Sequence, residues 1–322
     1  MRAIQIEKTG GPDVLQLKDL PQPTPAAGQV LVHVEAAGIN FIDIYQREGR
    51  YPLPLPFVPG SEGAGTVEEV GVGVTEFKRG DRVAWASVRG SYAEYVVAET
   101  SALVHVPSNV RMDDAAAVML QGITAHYLSH DTYAIKAGDT VLVHAGAGGV
   151  GLLLTQMAKS LGARVLTTVS TMQKAELSRA AGADRVINYV TESFVEAVKQ
   201  ESGGEGLPVV YDSVGKTTFE DSLKCLRPRG LMVLFGASSG AVPPFDLIRL
   251  SQTGSLYVTR PTMGDYIRTR VELERRVRDI FNAIGDGSLT VNIGARYKLE
   301  DAQRAHEDLQ ARKTTGKVLL TL

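Results

Sequence analysis

The chain has 322 residues and a formal net charge of -2, from 34 Lys+Arg against 36 Asp+Glu. Hydrophobic residues at 44% and charged residues at 22% match an ordinary globular protein, so a disordered chain is excluded, and the length suggests about two domains. No apolar run approaches the roughly 18 residues that cross a bilayer, and the near-neutral balance gives no electrostatic reason to expect nucleic acid or acidic lipid as partner. One cysteine, Cys225, excludes an internal disulfide and every multi-cysteine zinc site. Residues 1–8 alternate like a strand and carry no apolar signal core. Together these predict a soluble protein of the reducing cytoplasm.

Residues 2–7, 29–36, 65–70, 82–86 and 92–97 read as short strands bounded by Gly, Pro or Asp. Between them lie Pro21, Pro23 and Pro25, then Pro52, Pro54, Pro56 and Pro59, stretches that cannot be central strands. The pattern predicts a small, irregular β-barrel with long loops. From Met112 the texture becomes α/β, with helices over 113–120 and 122–134. Strands over 140–145, 164–169, 185–188, 209–213, 231–235 and 255–259 then alternate with helices over 150–161, 172–181, 192–200 and 217–226. That alternation predicts a doubly wound parallel sheet in the order 3-2-1-4-5-6. A long helix over 265–284 and another over 300–311 follow, and a last strand over 317–321 is free to return to the N-terminal barrel.

The sharpest motif is Gly146-Ala147-Gly148-Gly149-Val150-Gly151. It follows an apolar strand and opens an apolar helix, the context that makes G-x-G-x-x-G a dinucleotide signal. The first glycine allows the turn, the second a close approach to pyrophosphate, and the third the packing of helix on strand. The helix N-terminus offers N–H groups and a positive dipole to the anion. An NAD site places Asp or Glu about 20 residues on, to hold the 2′-hydroxyl. Here the second strand ends in Thr167-Thr168-Val169-Ser170, with no acid, and Lys174 lies four residues beyond Ser170. NADPH is therefore the expected coenzyme.

Other motifs are read as structural. His126 and His130 stand at i, i+4 without the Glu of a metalloprotease motif. Gly236-Ala237-Ser238-Ser239-Gly240 matches the nucleophile-elbow pattern, but Pro243-Pro244 oppose the helix that must follow. Arg268, Arg270, Arg275, Arg276 and Arg278 interleave with Glu272, Glu274 and Asp279, which describes a solvated helix face. Cys225 reads as a small buried hydrophobe.

These motifs carry a resemblance to the zinc-free NADPH:quinone oxidoreductases, zeta-crystallin-like members of the medium-chain dehydrogenase/reductase superfamily. It runs over essentially the whole chain. Its marks are Ala37-Gly38-Ile39-Asn40-Phe41-Ile42-Asp43, Pro59-Gly60-Ser61-Glu62-Gly63-Ala64-Gly65, Gly80-Asp81-Arg82-Val83, the phosphate loop, Tyr211-Asp212-Ser213-Val214-Gly215 and Gly254-Ser255-Leu256-Tyr257-Val258-Thr259-Arg260-Pro261. Where zinc-dependent relatives carry Cys and His, the chain resembles the pattern with Asn40 and Ser61. The segment 85–92 is too short for the structural-zinc insert.

The resemblance implies a GroES-like β-barrel domain from residues 1–123 and 260–322, and a Rossmann NADPH-binding domain from residues 124–259, with the coenzyme in the cleft between. It implies that Asn40 and Tyr45, in one short loop, lie near nicotinamide and ribose and are the candidate catalytic donors. Gly146, Gly148, Gly149, Val150 and Gly151 hold the pyrophosphate, while Ser170, Lys174, Tyr189 and Arg312 surround the 2′-phosphate. Thr124, Ser213, Phe235, Gly236, Ala237, Ser238, Tyr257, Val258 and Thr259 complete the coenzyme contacts. The expected activity is metal-free hydride transfer from NADPH to a quinone. Two alternatives stay open: a reductase of α,β-unsaturated carbonyls, and a non-catalytic NADPH-binding protein. Strand 254–260, at the sheet edge, is expected to pair with its copy in a homodimer.

Overall fold

Alternating apolar side chains build the first strands: β1 (Arg2–Gln5), β2 (Gln16–Asp19), β3 (Gln29–Ile39), β4 (Glu62–Val70), β5 (Arg82–Trp85), β6 (Tyr95–Glu99) and β7 (Val104–His105). β1 and β2 form their own antiparallel pair, while β3 is the hub of the larger sheet, pairing with both β4 and β6. Its inward side chains Val30, Val32 and Val34 are fully buried in a core with Trp85, Leu103 and Val83. The Trp85 indole is sealed from solvent and donates to Ser91 Oγ at 2.8 Å, so burial and polar satisfaction act together. Helix α1 (Phe41–Arg47) follows β3 directly, where the sequence reading placed a loop. Asp43 caps its start by accepting from the N-cap Asn40 N–H at 2.8 Å, and at seven residues the helix is too short for periodicity to register.

Helix α2 (Met112–Tyr127) is continuous through Gly122 and ends in a wide turn over Leu128–Thr132. Then come β8 (Thr140–Val143), α3 (Gly149–Ser160), β9 (Arg164–Val169), α4 (Met172–Ala180), β10 (Arg185–Asn188), α5 (Phe194–Glu201), β11 (Leu207–Asp212), α6 (Phe219–Lys224), β12 (Leu226–Leu234), α7 (Ile248–Gln252) and β13 (Tyr257–Thr259). The strands form one parallel sheet in the order β10-β9-β8-β11-β12-β13. That is the doubly wound order 3-2-1-4-5-6 read from the sequence. All six residues of β11 are buried, as a central strand covered on both faces requires.

The long helix expected over 265–284 is two helices, α8 (Met263–Tyr266) and α9 (Arg270–Gly285). Thr269 starts the second with a capping box: its Oγ1 accepts from Glu272 N–H at 3.2 Å, and its own N–H donates to Glu272 Oε2 at 3.0 Å. β14 (Ile293–Lys298), α10 (Ala302–Gln310) and β15 (Lys317–Thr321) end the chain. β15 pairs parallel with β14 and antiparallel with β3, setting Val318 opposite Ile39.

The structure, a computed structural model, describes every residue, Met1–Leu322, and they group into a first unit of residues 1–123 and 269–322 and a second of residues 124–268. Residues 260–268, placed with the barrel from sequence, group with the second unit, where Tyr266 stacks on Tyr127 at 4.1 Å and accepts from Thr132 Oγ1 at 2.9 Å. No helix is long and apolar enough to cross a membrane.

Candidate active site

The carboxyl end of the parallel sheet is built around the turn from β8 to α3. Ala145 takes a positive φ of 55°, and Gly146 N–H donates to Thr168 O at 3.0 Å, tying the turn to the end of β9. A Cβ on Gly146 would lie 2.5 Å from Thr167 Cβ, and one on Gly151 would lie 2.3 Å from Ala145 O. Both glycines are therefore demanded by close packing of helix on strand. Gly148 is the N-cap of α3 and provides no side-chain acceptor. The first-turn N–H groups of Gly149, Val150 and Gly151 have no acceptor within the helix, as at any helix start, and can serve an anion.

Beneath the turn lies a buried chain of polar groups. Asp212, at the end of β11, accepts from Val214 and Gly215 N–H at 2.7 and 3.0 Å on Oδ1, and from Thr218 and Ser222 hydroxyls at 2.7 and 3.1 Å on Oδ2. His144 Nε2 meets Ser222 Oγ at 3.0 Å and Nδ1 meets Thr168 Oγ1 at 2.9 Å. Ser222 gives its hydrogen to Asp212, so His144 carries its own on Nε2 and accepts from Thr168. Burial lowers the pKa of His144 and keeps the ring neutral. The sequence reading missed His144 and Asp212 as supports of the loop; an acid closing a buried strand was the available signal.

Ser170 and Tyr189 follow the carboxyl ends of the paired strands β9 and β10, and Lys174 follows Ser170 on α4. Ser170 follows the last residue of β9, and Tyr189 N–H donates to Val169 O at 3.1 Å. Lys174 sits in the first turn of α4, its N–H held by the N-cap Thr171 at 3.2 Å. Tyr189 is 45% exposed. No acid stands at this end of β9.

Beyond β12, the segment Phe235–Ser239 is fastened to Ser213 and Val214. Ser238 N–H donates to Ser213 O at 3.2 Å and Ser239 N–H to Val214 O at 2.9 Å. A Cβ on Gly236 would lie 2.5 Å from Ser213 O. Arg260, unnoticed in the sequence beyond its motif, donates to Leu234 O at 2.8 Å and Gly236 O at 3.1 Å. No helix follows Ser238 until α7, so the nucleophile-elbow geometry is not formed. Tyr257 and Val258 stand on the open edge opposite Leu231 and Met232; Thr259, opposite Val233, is nearer the carboxyl end. Thr124 is buried in α2.

In the first unit, Asn40 is buried and its amide is held at both ends. Nδ2 donates to Glu62 Oε2 at 2.7 Å, and Oδ1 accepts from Lys317 at 2.9 Å and Gln121 at 3.3 Å. Lys317 and Glu62 are themselves a fully buried ion pair. Asn40 N–H donates to Asp43 Oδ2 at 2.8 Å. Tyr45, on α1, is buried against Phe41 and Tyr51, with Arg50 over its ring at 5.4 Å. Arg312 lies in this unit, exposed, at a positive φ of 57° just after α10. No group of three or more His, Cys, Asp or Glu side chains is placed to hold a metal ion. His126, near the end of α2, and His130, in the turn that follows, stack at 4.2 Å.

The chain matches the alcohol dehydrogenase GroES-like domain over residues 26–108 and the zinc-binding dehydrogenase family over residues 149–278. A quinone oxidoreductase of Pseudomonas aeruginosa is 48% identical over 99% of both chains. The Escherichia coli quinone oxidoreductase, solved in complex with NADPH, superposes with a TM-score of 0.98, is 46% identical and covers 100% of both chains. A 2-haloacrylate reductase of a Burkholderia species is 41% identical over 99% of this chain and 98% of its own. With the fold, the phosphate turn and this likeness together, the chain belongs to the quinone oxidoreductases of the medium-chain dehydrogenase/reductase superfamily.

Proposed function

We infer that the protein is an NADPH-dependent quinone oxidoreductase. The observation that carries the coenzyme reading is the end of β9, where the segment from Val169 to Lys174 contains no carboxylate to repel a 2′-phosphate and Tyr189 N–H is bonded to Val169 O. The glycine turn and α3 N-terminus fit a pyrophosphate, because the N-cap Gly148 supplies no side-chain acceptor to the first-turn N–H groups. When bound, NADPH supplies the hydride; the protein positions the reactants and manages the proton. Gly146, Gly148, Gly149, Val150 and Gly151 are proposed to hold the pyrophosphate, and Ser170, Lys174, Tyr189 and Arg312 the 2′-phosphate. Ser213, Phe235, Gly236, Ala237, Ser238, Tyr257, Val258 and Thr259, with Thr124, Asn40 and Tyr45, are the proposed remaining contacts. Asn40, with its amide occupied by Glu62 and Lys317, is proposed to position α1 and Tyr45. A quinone suits such a site because its reduction restores an aromatic ring and needs only modest stabilisation of the developing oxyanion.

Titration of the protein with NADPH and NADH tests this. NADPH binds at least tenfold more tightly, and Lys174→Ala removes most of that margin, as loss of one charge-assisted contact of roughly 1.5–3 kcal/mol requires. Equal affinity for the two coenzymes refutes the reading.

The likeness to a 2-haloacrylate reductase favours a second acceptor class, α,β-unsaturated carbonyl compounds, since hydride addition to a conjugated alkene makes the same electronic demand. Comparing kcat/KM for a benzoquinone and an enone ranks the two. We also propose a homodimer through β13, whose outer edge pairs with no strand of this chain and whose Tyr257 is 60% exposed. Light scattering showing a monomer at micromolar concentration excludes it. The cytoplasm is the proposed compartment, from a single buried cysteine.

A further inference from the structure

The buried ion pair of Lys317 and Glu62 fixes the orientation of two side-chain amides in succession. An ammonium only donates and a carboxylate only accepts. Asn40 therefore turns Oδ1 to Lys317 and Nδ2 to Glu62. Gln121, on α2, meets Asn40 Oδ1 at 3.3 Å, so the atom it presents there is Nε2. The backbone next to it is tied to the same ion pair, because Leu120 N–H donates to Glu62 Oε1 at 2.6 Å.

Unused hydrogen-bonding capacity along this chain is found only at Gln121. Asn40 Nδ2 gives one hydrogen to Glu62 and the other to Gly38 O at 3.4 Å, while its Oδ1 accepts from both Lys317 and Gln121. Glu62 accepts on both oxygens. Asn40, Glu62 and Lys317 are all buried. Gln121 is only half-buried, and one hydrogen of Nε2 is engaged. Its second hydrogen and its Oε1 meet no group of the chain. An amide clamped through one hydrogen, with the other open to solvent, is a donor already oriented before substrate arrives. It stands against Asn40, a proposed coenzyme contact, and Thr124, another, is three residues on in the same helix, a spacing that shares one helix face.

We propose that Gln121 Nε2 receives the substrate oxygen that gains charge during reduction. This rests on the NADPH-dependent reductase reading above. Quinone reduction to hydroquinone takes one hydride, from NADPH, and one proton. As the hydride arrives, negative charge moves onto a carbonyl oxygen, and the free Nε2–H donates to it. That hydrogen stays on nitrogen, because a neutral amide is too weak an acid to release it. A water molecule supplies the proton that completes the hydroquinone and leaves as hydroxide. Asn40 and the ion pair behind it are positioning residues: they hold the amide of Gln121 in register and have no donor of their own left for substrate.

The test uses the whole enzyme with NADPH and a benzoquinone, in wild type, Gln121→Leu and Gln121→Glu. Gln121→Leu is expected to slow single-turnover reduction about 100-fold at pH 7, the lower range for loss of one oxyanion donor, with NADPH affinity unchanged. Gln121→Glu keeps the shape and separates a donor from a packing residue. Its carboxylate repels the oxyanion at pH 8, whereas its acid form regains an O–H to donate. Its rate relative to wild type should therefore climb at least about tenfold from pH 8 to pH 5, while the ratio for Gln121→Leu stays flat. Where Gln121→Leu does not fold, this profile decides alone. A wild-type rate in Gln121→Leu overturns the proposal, as does a flat profile in Gln121→Glu or an NADPH affinity that falls as far as the rate. A wild type inert toward quinones overturns the reductase reading and the role of Gln121 with it, whereas an active wild type with unaffected variants overturns that role alone.

Discussion

The two units each bury a histidine between a donor and a hydroxyl that ends on an aspartate, yet the two chains differ at their last atom. Thr168, His144, Ser222 and Asp212 form a closed account: both Asp212 oxygens accept, two hydrogens each. Arg47, His306, Tyr92 and Asp43 form an open one, with two hydrogens on Oδ2 and none on Oδ1. A saturated carboxylate holds backbone in place, here the turns beneath the phosphate loop. A buried carboxylate with one bare oxygen is costlier to ionise, and burial raises the Asp43 carboxyl to about 7. The same residue types therefore satisfy every carboxylate oxygen in one unit and leave one buried and bare in the other.

The largest effect on this contrast is expected from the ion pair that flanks Asp43. Lys317→Met leaves Glu62 charged and buried, and should lower unfolding free energy by about 3–5 kcal/mol in urea titration. Adding Glu62→Gln should recover most of it; no recovery would mean that the loss lies in packing. Next is Ser222→Ala, which takes the acceptor from His144 and one donor from Asp212. A loss of about 1–3 kcal/mol is expected, and a neutral outcome would deny the saturated chain its bracing role.

The smallest and most diagnostic effect is a pH slope. His306 is held near 3 against an ordinary 6.5, so between those values the unfolded chain binds more protons and stability rises with pH. Asp43, near 7 against an ordinary 3.8, has the opposite sign between 3.8 and 7, where the folded chain binds more. Over the shared window the two contributions cancel. Asp43→Asn removes one of them, so its stability should rise from pH 4 to 6.5 with up to about 1.4 kcal/mol per pH unit more slope than wild type. Parallel slopes in urea midpoints would break the comparison.

Much of the second unit was legible because its signals are local. The βαβ alternation and the turn Gly146–Gly151 are contiguous, and the strand order followed from them. Helix α1 was read as loop because its seven residues are too few for a periodic stripe. The break at Thr269 was hidden by apolar residues that continue on both sides of it. Asn40 stands out in the sequence as a candidate, but the partners of its amide do not, since Lys317 is separated from it by 277 positions.

The amino-acid order by itself determined the doubly wound sheet, the anion-binding helix start and the missing acid at the end of β9, because each depends on neighbours within a few residues. Only the tertiary structure decided which buried polar atoms are satisfied. Asp43, Ser61, Tyr92 and His306 come from distant segments, and whether a carboxylate braces or holds a proton depends on how many hydrogens the folded chain delivers to each of its oxygens.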